Sequence, residues 1–251
     1  MAIPPKLIAH LSDLHIGYSP ERLRIATAIR DRLREARVDL VIVTGDSTEH
    51  GRLSEYAQFQ SLFAEFIETN RCIVVPGNHD RVGEGVAHGM MLDQRVTIER
   101  RDGLHLVLVD TTGAHNRHVL LSHGKIDAQV IEDIDRAVAD ADLNSLVIVA
   151  LHHHLMPQPE EYWLEKAATF FRLPFAKELC LGQDLIQDLV GRCDLILHGH
   201  RHKSLETRIA HSPRALTIFN AGSSTELQGF RLFRWNHSGL IGQPEWCVVN
   251  K

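Results

Sequence analysis

The sequence predicts an α/β protein whose strands carry functional groups at their carboxyl ends. Three observations point there. First, short apolar runs alternate with amphipathic helical stretches over the amino-terminal part of the chain. Second, five apolar runs stop abruptly in polar residues. Asp13-Leu14-His15 follows Leu7 to Leu11, and Gly45-Asp46 follows Leu40-Val41-Ile42-Val43. Pro76-Gly77-Asn78-His79-Asp80 follows Cys72-Ile73-Val74-Val75, His152-His153-His154 ends the run Leu146 to Leu151, and Gly199-His200-Arg201-His202 follows Leu195-Ile196-Leu197. Third, the chain holds 17 histidines, and eight of them (His15, His79, His152, His153, His154, His198, His200 and His202) lie in these segments. Histidine gathered at strand ends points to metal or proton chemistry.

Lys6 to Leu11 is predicted as the first strand, too short and too apolar for an amphipathic helix. Ser19-Pro20 then starts a helix, a capping hydroxyl followed by proline at the first helical position. Leu23, Ala26, Ile29 and Leu33 give that helix one apolar face. Val38 to Thr44 is the second strand, and a second helix from about Ser54 places Tyr56, Phe59, Phe63 and Phe66 inward. The third strand runs into Asn78-His79-Asp80. This β-α-β-α-β order with short links is that of a layered sheet with helices outside, which takes its ligands at the carboxyl ends of its strands.

Beyond it, the glycine-rich stretch Val82 to Gln94 is expected to form a loop near the site, and Leu104 to Val109 a strand. Asp127 should cap a helix bearing Val130, Ile131, Ile134 and Val138. The segment Leu155 to Leu181, with Trp163, Phe170, Phe171 and Phe175, reads equally as a covering element or a substrate lid. Leu185, Leu189 and Val190 lead into a strand at Asp194 to Leu197. Ala215 to Phe219, Phe230 to Trp235 and Trp246 to Val249 are expected to close a second sheet. No repeat or linker divides the 251 residues, so one domain over 1–251 is expected.

Composition narrows the function. Hydrophobic content of 44% and charged content of 24% are ordinary for a globular protein. A net charge of −5 gives no basic footprint for nucleic acid, and the isolated pair Arg100-Arg101 reads as solvated surface. The four cysteines (Cys72, Cys180, Cys193 and Cys247) form no CxxC pair, which speaks against a disulfide framework or a sulfur-bound zinc. No signal-peptide pattern and no apolar stretch of membrane-spanning length is seen, so the expected location is cytoplasmic.

The strand ends supply Asp13, His15, Asp46, Asn78, His152, His200 and His202, a set of oxygen and nitrogen donors without thiolate. Such donors suit manganese, iron, zinc or cobalt. Seven are too many for one ion with an open position, and fit two ions sharing a bridging carboxylate. Asp46, alone at the middle strand, is the natural bridge. Asp13 and His15 stand two apart on extended chain, as do His200 and His202, so each pair can face one way. No Walker-type loop, Gly-x-Ser-x-Gly or Cys-His arrangement competes for the chemistry.

The series Asp13-x-His15, Gly45-Asp46, Gly77-Asn78-His79-Asp80, His152 and Gly199-His200-x-His202 resembles the calcineurin-like metallophosphoesterase superfamily. The resemblance implies a four-layer α/β/β/α sandwich with two central mixed sheets and a dinuclear metal site at strand carboxyl ends. It further implies Asp13, His15, Asp46 and His202 on one ion, and Asp46, Asn78, His152 and His200 on the other. The two metal ions would be manganese, iron (ferrous or ferric) or zinc. His79 would be the catalytic histidine. Asp80 would orient a histidine or support the loop. Within the histidine run, His152 is assigned as ligand with His153 as the alternative, His154 faces substrate or solvent, and His198 packs in its strand.

On this reading a hydroxide bridging the two ions attacks phosphorus, and cationic His79 protonates or stabilises the leaving group. Gly45-Asp46-Ser47-Thr48-Glu49-His50-Gly51 and Pro76-Gly77-Asn78-His79-Asp80-Arg81 resemble the branch of cyclic-nucleotide phosphodiesterases and glycerophosphodiesterases. A small-molecule phosphodiester is therefore the expected substrate. The alternatives are a nuclease, disfavoured by the acidic balance, and a nucleotide-sugar pyrophosphatase, to which Met90, Met91, Phe170 and Phe171 would offer an apolar groove. A metal-binding interaction module without turnover and a plain nucleotide-binding α/β domain are the non-enzyme readings. The first conflicts with the retention of His79 and the full ligand set, and the second leaves the histidines unexplained.

Overall fold

Along each central strand, successive apolar side chains go to opposite faces, and both faces are dry. On β1 (Lys6–Leu11) Ala9 and Leu11 face one way and Ile8 the other; on β2 (Leu40–Thr44) Val41 and Val43 oppose Leu40 and Ile42. β5 (Leu104–Val109) and β6 (Leu146–Ala150) alternate in the same manner between a third apolar layer and the shared one. Strands buried on both faces demand cover on both sides. Here the cover is a second sheet on one side and helices on the other.

The computed structural model describes residues 5–101, 103–118, 121–157, 178–236 and 239–249. Helix α1 (Pro20–Glu35) packs Ala26, Ile29 and Leu33 beneath the first sheet, and the Ser19 hydroxyl caps it by accepting from Arg22 N at 3.2 Å. The second helix is interrupted. α2 (Leu53–Leu62) breaks at Phe63 before α3 (Ala64–Glu68), which lets Phe59, Phe63 and Phe66 all reach the core. Under the other sheet lie α5 (Ala128–Ala139), capped by Asp127, and α6 (Gly182–Leu189). A short helix, α4 (Ala87–Met90), interrupts the stretch Val82 to Gln94 expected to be loop, and a 3-10 turn at His79–Arg81 precedes it. Met91 after α4 is buried in the layer between the sheets rather than lining a groove.

The remaining strands are β3 (Cys72–Val75), β4 (Val96–Arg101), β7 (Leu195–His198), β8 (Ser204–Ile209), β9 (Leu216–Ala221), β10 (Gly229–Asn236), β11 (Gly239–Leu240) and β12 (Glu245–Val248). One sheet runs β11-β10-β1-β2-β3 with β12 on β10, and the other runs β4-β5-β6-β7-β9-β8. Both are mixed: β1, β2 and β3 are parallel and β10 is antiparallel to β1, while β5, β6, β7 and β9 are parallel between antiparallel edges β4 and β8. The result is the four-layer α/β/β/α sandwich, two mixed sheets face to face with helices outside.

Two expectations are corrected. Of the three carboxyl-terminal strands, only β9 joins the second sheet, between β7 and β8; β10 and β12 belong to the first. The reason is visible on β10, where Phe230 and Leu232 face the α1 layer while Phe233 and Trp235 fill the space between the sheets. A strand so apolar on both faces needs an interior position beside β1, and the register Ile8↔Phe233 supplies it. Arg100, on the edge strand β4, is exposed as expected, but its neighbour Arg101 is half-buried with Nε and one terminal nitrogen enclosed, not solvated surface. Trp163, Phe170, Phe171 and Phe175 lie outside the described residues.

Candidate metal centre

Parallel strands bring the ends of β1, β2 and β3 side by side, and the backbone ladder continues past them. Asp13 N donates to Gly45 O at 3.1 Å, His15 N to Asp46 O at 3.0 Å and Ile16 N to Ser47 O at 3.0 Å. In the facing sheet Gly199 N donates to His152 O at 3.0 Å. Between the sheets, Asp13 Oδ2 accepts from His200 N at 3.1 Å and His152 Nδ1 lies 2.8 Å from Thr44 O, while within the first sheet Asp46 Oδ1 accepts from His79 N at 2.8 Å. All five strand-end motifs thus meet at one edge of the sandwich.

The backbone there is unusual. Asp13 (φ 52°), His15 (48°), Asp46 (51°), His200 (73°) and His202 (52°) are all left-handed. Asp and His enter this region more readily than most residues, yet each still costs roughly 1 kcal/mol or more. The loop after β9 holds the strained turn: Ser223 Oγ donates to Asp13 O at 2.8 Å and Thr225 Oγ1 to Leu14 O at 3.2 Å. Two glycines allow close approach. A Cβ on Gly77 would sit 2.1 Å from Asp46 Oδ1, and one on Gly199 would sit 2.4 Å from Asp13 Oδ2.

The seven side chains converge in two groups. In the first, Asp13 Oδ1 lies 3.3 Å from His202 Nε2, and the Nε2 atoms of His15 and His202 are 3.2 Å apart. In the second, Asn78 Oδ1 lies 3.1 Å from His152 Nε2 and 3.0 Å from His200 Nδ1. Asp46 stands between them, with Oδ2 3.3 Å from His152 Nε2 and 3.9 Å from His15 Nε2. Asp13, His15 and His202 are one set of donor atoms within 4.8 Å of one another, and Asp13, Asp46 and His152 another. Apart from His200 and His202, which are partly covered, these residues are buried.

Electrostatics ask for positive charge at this point. Burial works against the charged forms throughout. Against it, the neighbouring His152, His79 and His15 hold the Asp46 carboxyl well below its usual range, and His202 and His152 hold Asp13 lowered. Burial likewise opposes a proton on His202 and His152, but Asp13 and Glu226 carry the first up to about 10, and Asp46 carries the second to about 9. Burial pushes His200 well below the ordinary histidine value, and its Nε2 is enclosed without a hydrogen-bond partner among the described residues. Carboxylates, an amide oxygen and imidazole lone pairs aimed at one another fit divalent cations, which would take the place of these protons.

Other predicted residues resolve differently. His153 is held by Thr111 Oγ1 at 2.7 Å and Ser122 O at 3.0 Å, so both ring nitrogens are engaged by residues that follow β5, although its ring also lies beside His152 and His200. His154 is buried and stacks on His200 with ring centroids 5.5 Å apart, rather than facing solvent. His198 is packed, with its Nδ1 3.1 Å from Gly199 O, and burial takes it down to about 4. Asp80 does not reach the donor groups. It is fully buried and accepts from Gly77 N at 2.9 Å, Thr48 N at 3.0 Å and Thr48 Oγ1 at 2.8 Å, tying the β2 and β3 loops together. That is the loop-supporting one of its two expected roles. His79 is partly exposed beside the cluster, with Nδ1 2.8 Å from Glu49 O; burial opposes its charge, but Asp46 and Glu49 raise its pKa overall.

Two carboxylates escaped the sequence reading. Glu49 Oε2 lies 2.7 Å from His15 Nδ1, and Glu226 Oε2 lies 3.1 Å from His202 Nδ1. Each fixes the far nitrogen of an imidazole whose Nε2 turns to the centre. Glu226 follows β9, a sixth strand end, so the rule that found the other motifs applies to it as well.

Comparison with known proteins agrees with this architecture. The family model described as Calcineurin-like phosphoesterase matches residues 6–204. A cAMP/cGMP dual specificity phosphodiesterase of Mycobacterium tuberculosis is 27% identical over 229 residues, covering 84% of this chain and 66% of that protein. A 3',5'-cyclic adenosine monophosphate phosphodiesterase of Escherichia coli K12 is 25% identical over 231 residues, covering 90% of this chain and 67% of that one. The chain thus spans about two thirds of the length of these relatives. Among solved structures, a dimetal phosphatase from Danio rerio matches with a TM-score of 0.66 at 11% identity, over 99% of this chain and 100% of that one. A purple acid phosphatase from yellow lupin matches with a TM-score of 0.62 at 14% identity, over 98% and 52%. At such identities the likeness is one of fold. With most of its length matched by the family model, the chain belongs to the calcineurin-like phosphoesterase family.

Proposed function

We propose that this protein is a metal-dependent phosphodiesterase acting on a cyclic nucleotide or another small phosphodiester. The observation that carries the reading is the position of Asp46, whose carboxylate lies between two groups of donors while His79 is hydrogen-bonded to it through its backbone. The names of the sequence relatives supply the substrate class. Asp13, His15, Asp46 and His202 would hold one divalent ion, and Asp46, Asn78, His152 and His200 the other. Such a pair lowers the pKa of water and neutralises charge on phosphoryl oxygens.

The chain's own residues do the rest. The Glu49 carbonyl can only accept, so His79 Nδ1 must donate to it, and Nε2 is left for the substrate. In its cationic form, favoured by Asp46 and Glu49 over the cost of burial, His79 can give the Nε2 proton to a departing alkoxide. Glu49 lies between His15 Nδ1 and His79 Nδ1, at 2.7 and 3.8 Å, and so keeps the acid in register with the donor set. The peptide N–H of His79 on Asp46 Oδ1 does the same from the other side.

The test is hydrolysis by metal-stripped protein with manganese restored, comparing bis-p-nitrophenyl phosphate with p-nitrophenyl phosphate. Preference for the diester is expected. Preference for the monoester would make the protein a phosphatase, and no turnover with manganese, iron or zinc would favour a binding role.

The buttressing carboxylates give a separate expectation. Glu226→Gln keeps a hydrogen-bonding partner for His202 but removes the charge, and is expected to weaken manganese binding by roughly 10-fold or more. Chelator-competition titration measures it. Unchanged affinity would mean that Glu226 serves Arg22 rather than the centre.

A further inference from the structure

The turn that leaves the Asp13-x-His15 motif sets one side chain at the edge of the centre. Gly17 is left-handed (φ 105°), and a Cβ there would fall 2.4 Å from Glu55 Oε1. Tyr18 N donates back to His15 O at 3.1 Å, and Ser19 then caps α1. The Tyr18 backbone is therefore fixed between a tight turn and a helix start, three residues beyond His15.

Tyr18 is 61% exposed, and no other described Phe, Tyr or Trp is exposed. A single exposed ring is ordinary. This one is braced. The Arg22 guanidinium lies 4.2 Å from the ring centroid, and the Arg22 side chain is itself only 13% exposed. Arg22 pairs with Glu226, and Glu226 holds His202 Nδ1 at 3.1 Å. The ring, the guanidinium, the carboxylate and the imidazole form one continuous chain from the protein surface into the donor set. A cation on one face of an aromatic ring fixes its plane, and the high exposure leaves the opposite face to solvent.

We propose that Tyr18 is a stacking platform for the planar aromatic group of the substrate, a nucleobase held beside the phosphoryl position. The inference rests on the phosphodiesterase reading and narrows it, since a glycerol-type diester has no ring to stack. Base–aromatic stacking tolerates any base because every base offers a π-face. The platform therefore selects nucleotides over ring-free diesters without choosing between adenine and guanine.

Calorimetric titration of manganese-loaded protein with adenosine 5'-monophosphate and with ribose 5-phosphate tests the base, since the two ligands share the phosphate and the pentose and differ at the anomeric carbon, which bears adenine in one and a hydroxyl in the other. Wild type is expected to bind the nucleotide roughly 10-fold more tightly. Tyr18→Ala should bring the two affinities to within about twofold of each other by weakening the nucleotide alone, whereas Tyr18→Phe and Tyr18→Trp should keep the preference. The proposal is overturned if wild type shows no preference, if Tyr18→Ala retains it, or if that variant weakens both ligands equally. The last outcome would mark Tyr18 as a prop for Arg22 and Glu226. Turnover of bis-p-nitrophenyl phosphate by the same wild-type preparation reports separately on the phosphodiesterase reading. Its absence alongside an intact base preference would sink that reading and leave the nucleotide platform standing.

Discussion

Asp46→Ala is expected to lower diester hydrolysis by about 10³-fold or more, because it removes a contact from both donor groups at once. Oδ2 lies near His152 and His15, and Oδ1 accepts the His79 peptide N–H. Asn78 or His202 can be lost from one group only, whereas Asp46 serves two. The companion variant Asp46→Asn keeps an oxygen for His79 N but not the charge, and should fall between Asp46→Ala and wild type in bound manganese. Metal content by elemental analysis, with circular dichroism to verify folding, separates loss of ions from loss of fold. A folded Asp46→Ala protein that retains full metal content would remove Asp46 from its proposed bridging role.

His79→Gln should have the opposite signature. The side chain reaches the centre's edge without joining the seven donors, so metal content should stay at the wild-type level while kcat falls by roughly 10²- to 10⁴-fold. The loss should depend on the leaving group. p-Nitrophenolate departs readily as an anion and needs little help, whereas a ribose or alkyl alkoxide needs a proton. A kcat deficit several times larger on an alkyl-leaving diester than on bis-p-nitrophenyl phosphate is the expected readout. Equal deficits on both would reduce His79 to a positioning residue, and loss of metal in the variant would make it a ligand or a structural support.

Much of the centre was legible because strand ends announce themselves. An apolar run that stops in Asp-x-His or Gly-His-x-His needs no tertiary information to be noticed, and Asp13, His15, Asp46, Asn78, His152, His200 and His202 were all found that way. Glu49 and Glu226 were not. Glu49 sits among Ser, Thr and His in a loop where a carboxylate is unremarkable, and Glu226 follows a strand whose end carries serines and a threonine rather than histidine. Their significance lies wholly in what they touch across the fold, His15 at 34 residues' distance and His202 at 24.

The α/β class, the main strands and helices, and the polar residues at strand ends can be read without a structure, because periodicity and capping are local properties. The rest came from long-range packing. That packing sent β10 to β1 rather than to the second sheet, and turned Asp80 toward the peptide N–H groups of two loops. It also placed His154 under His200 and braced Tyr18 on Arg22. Those outcomes depend on strand partners far apart in the chain and on the direction taken by adjacent side chains through left-handed turns. Neither pairing nor direction is encoded in spacing alone, since both are settled by which buried polar groups find partners and which apolar faces find cover.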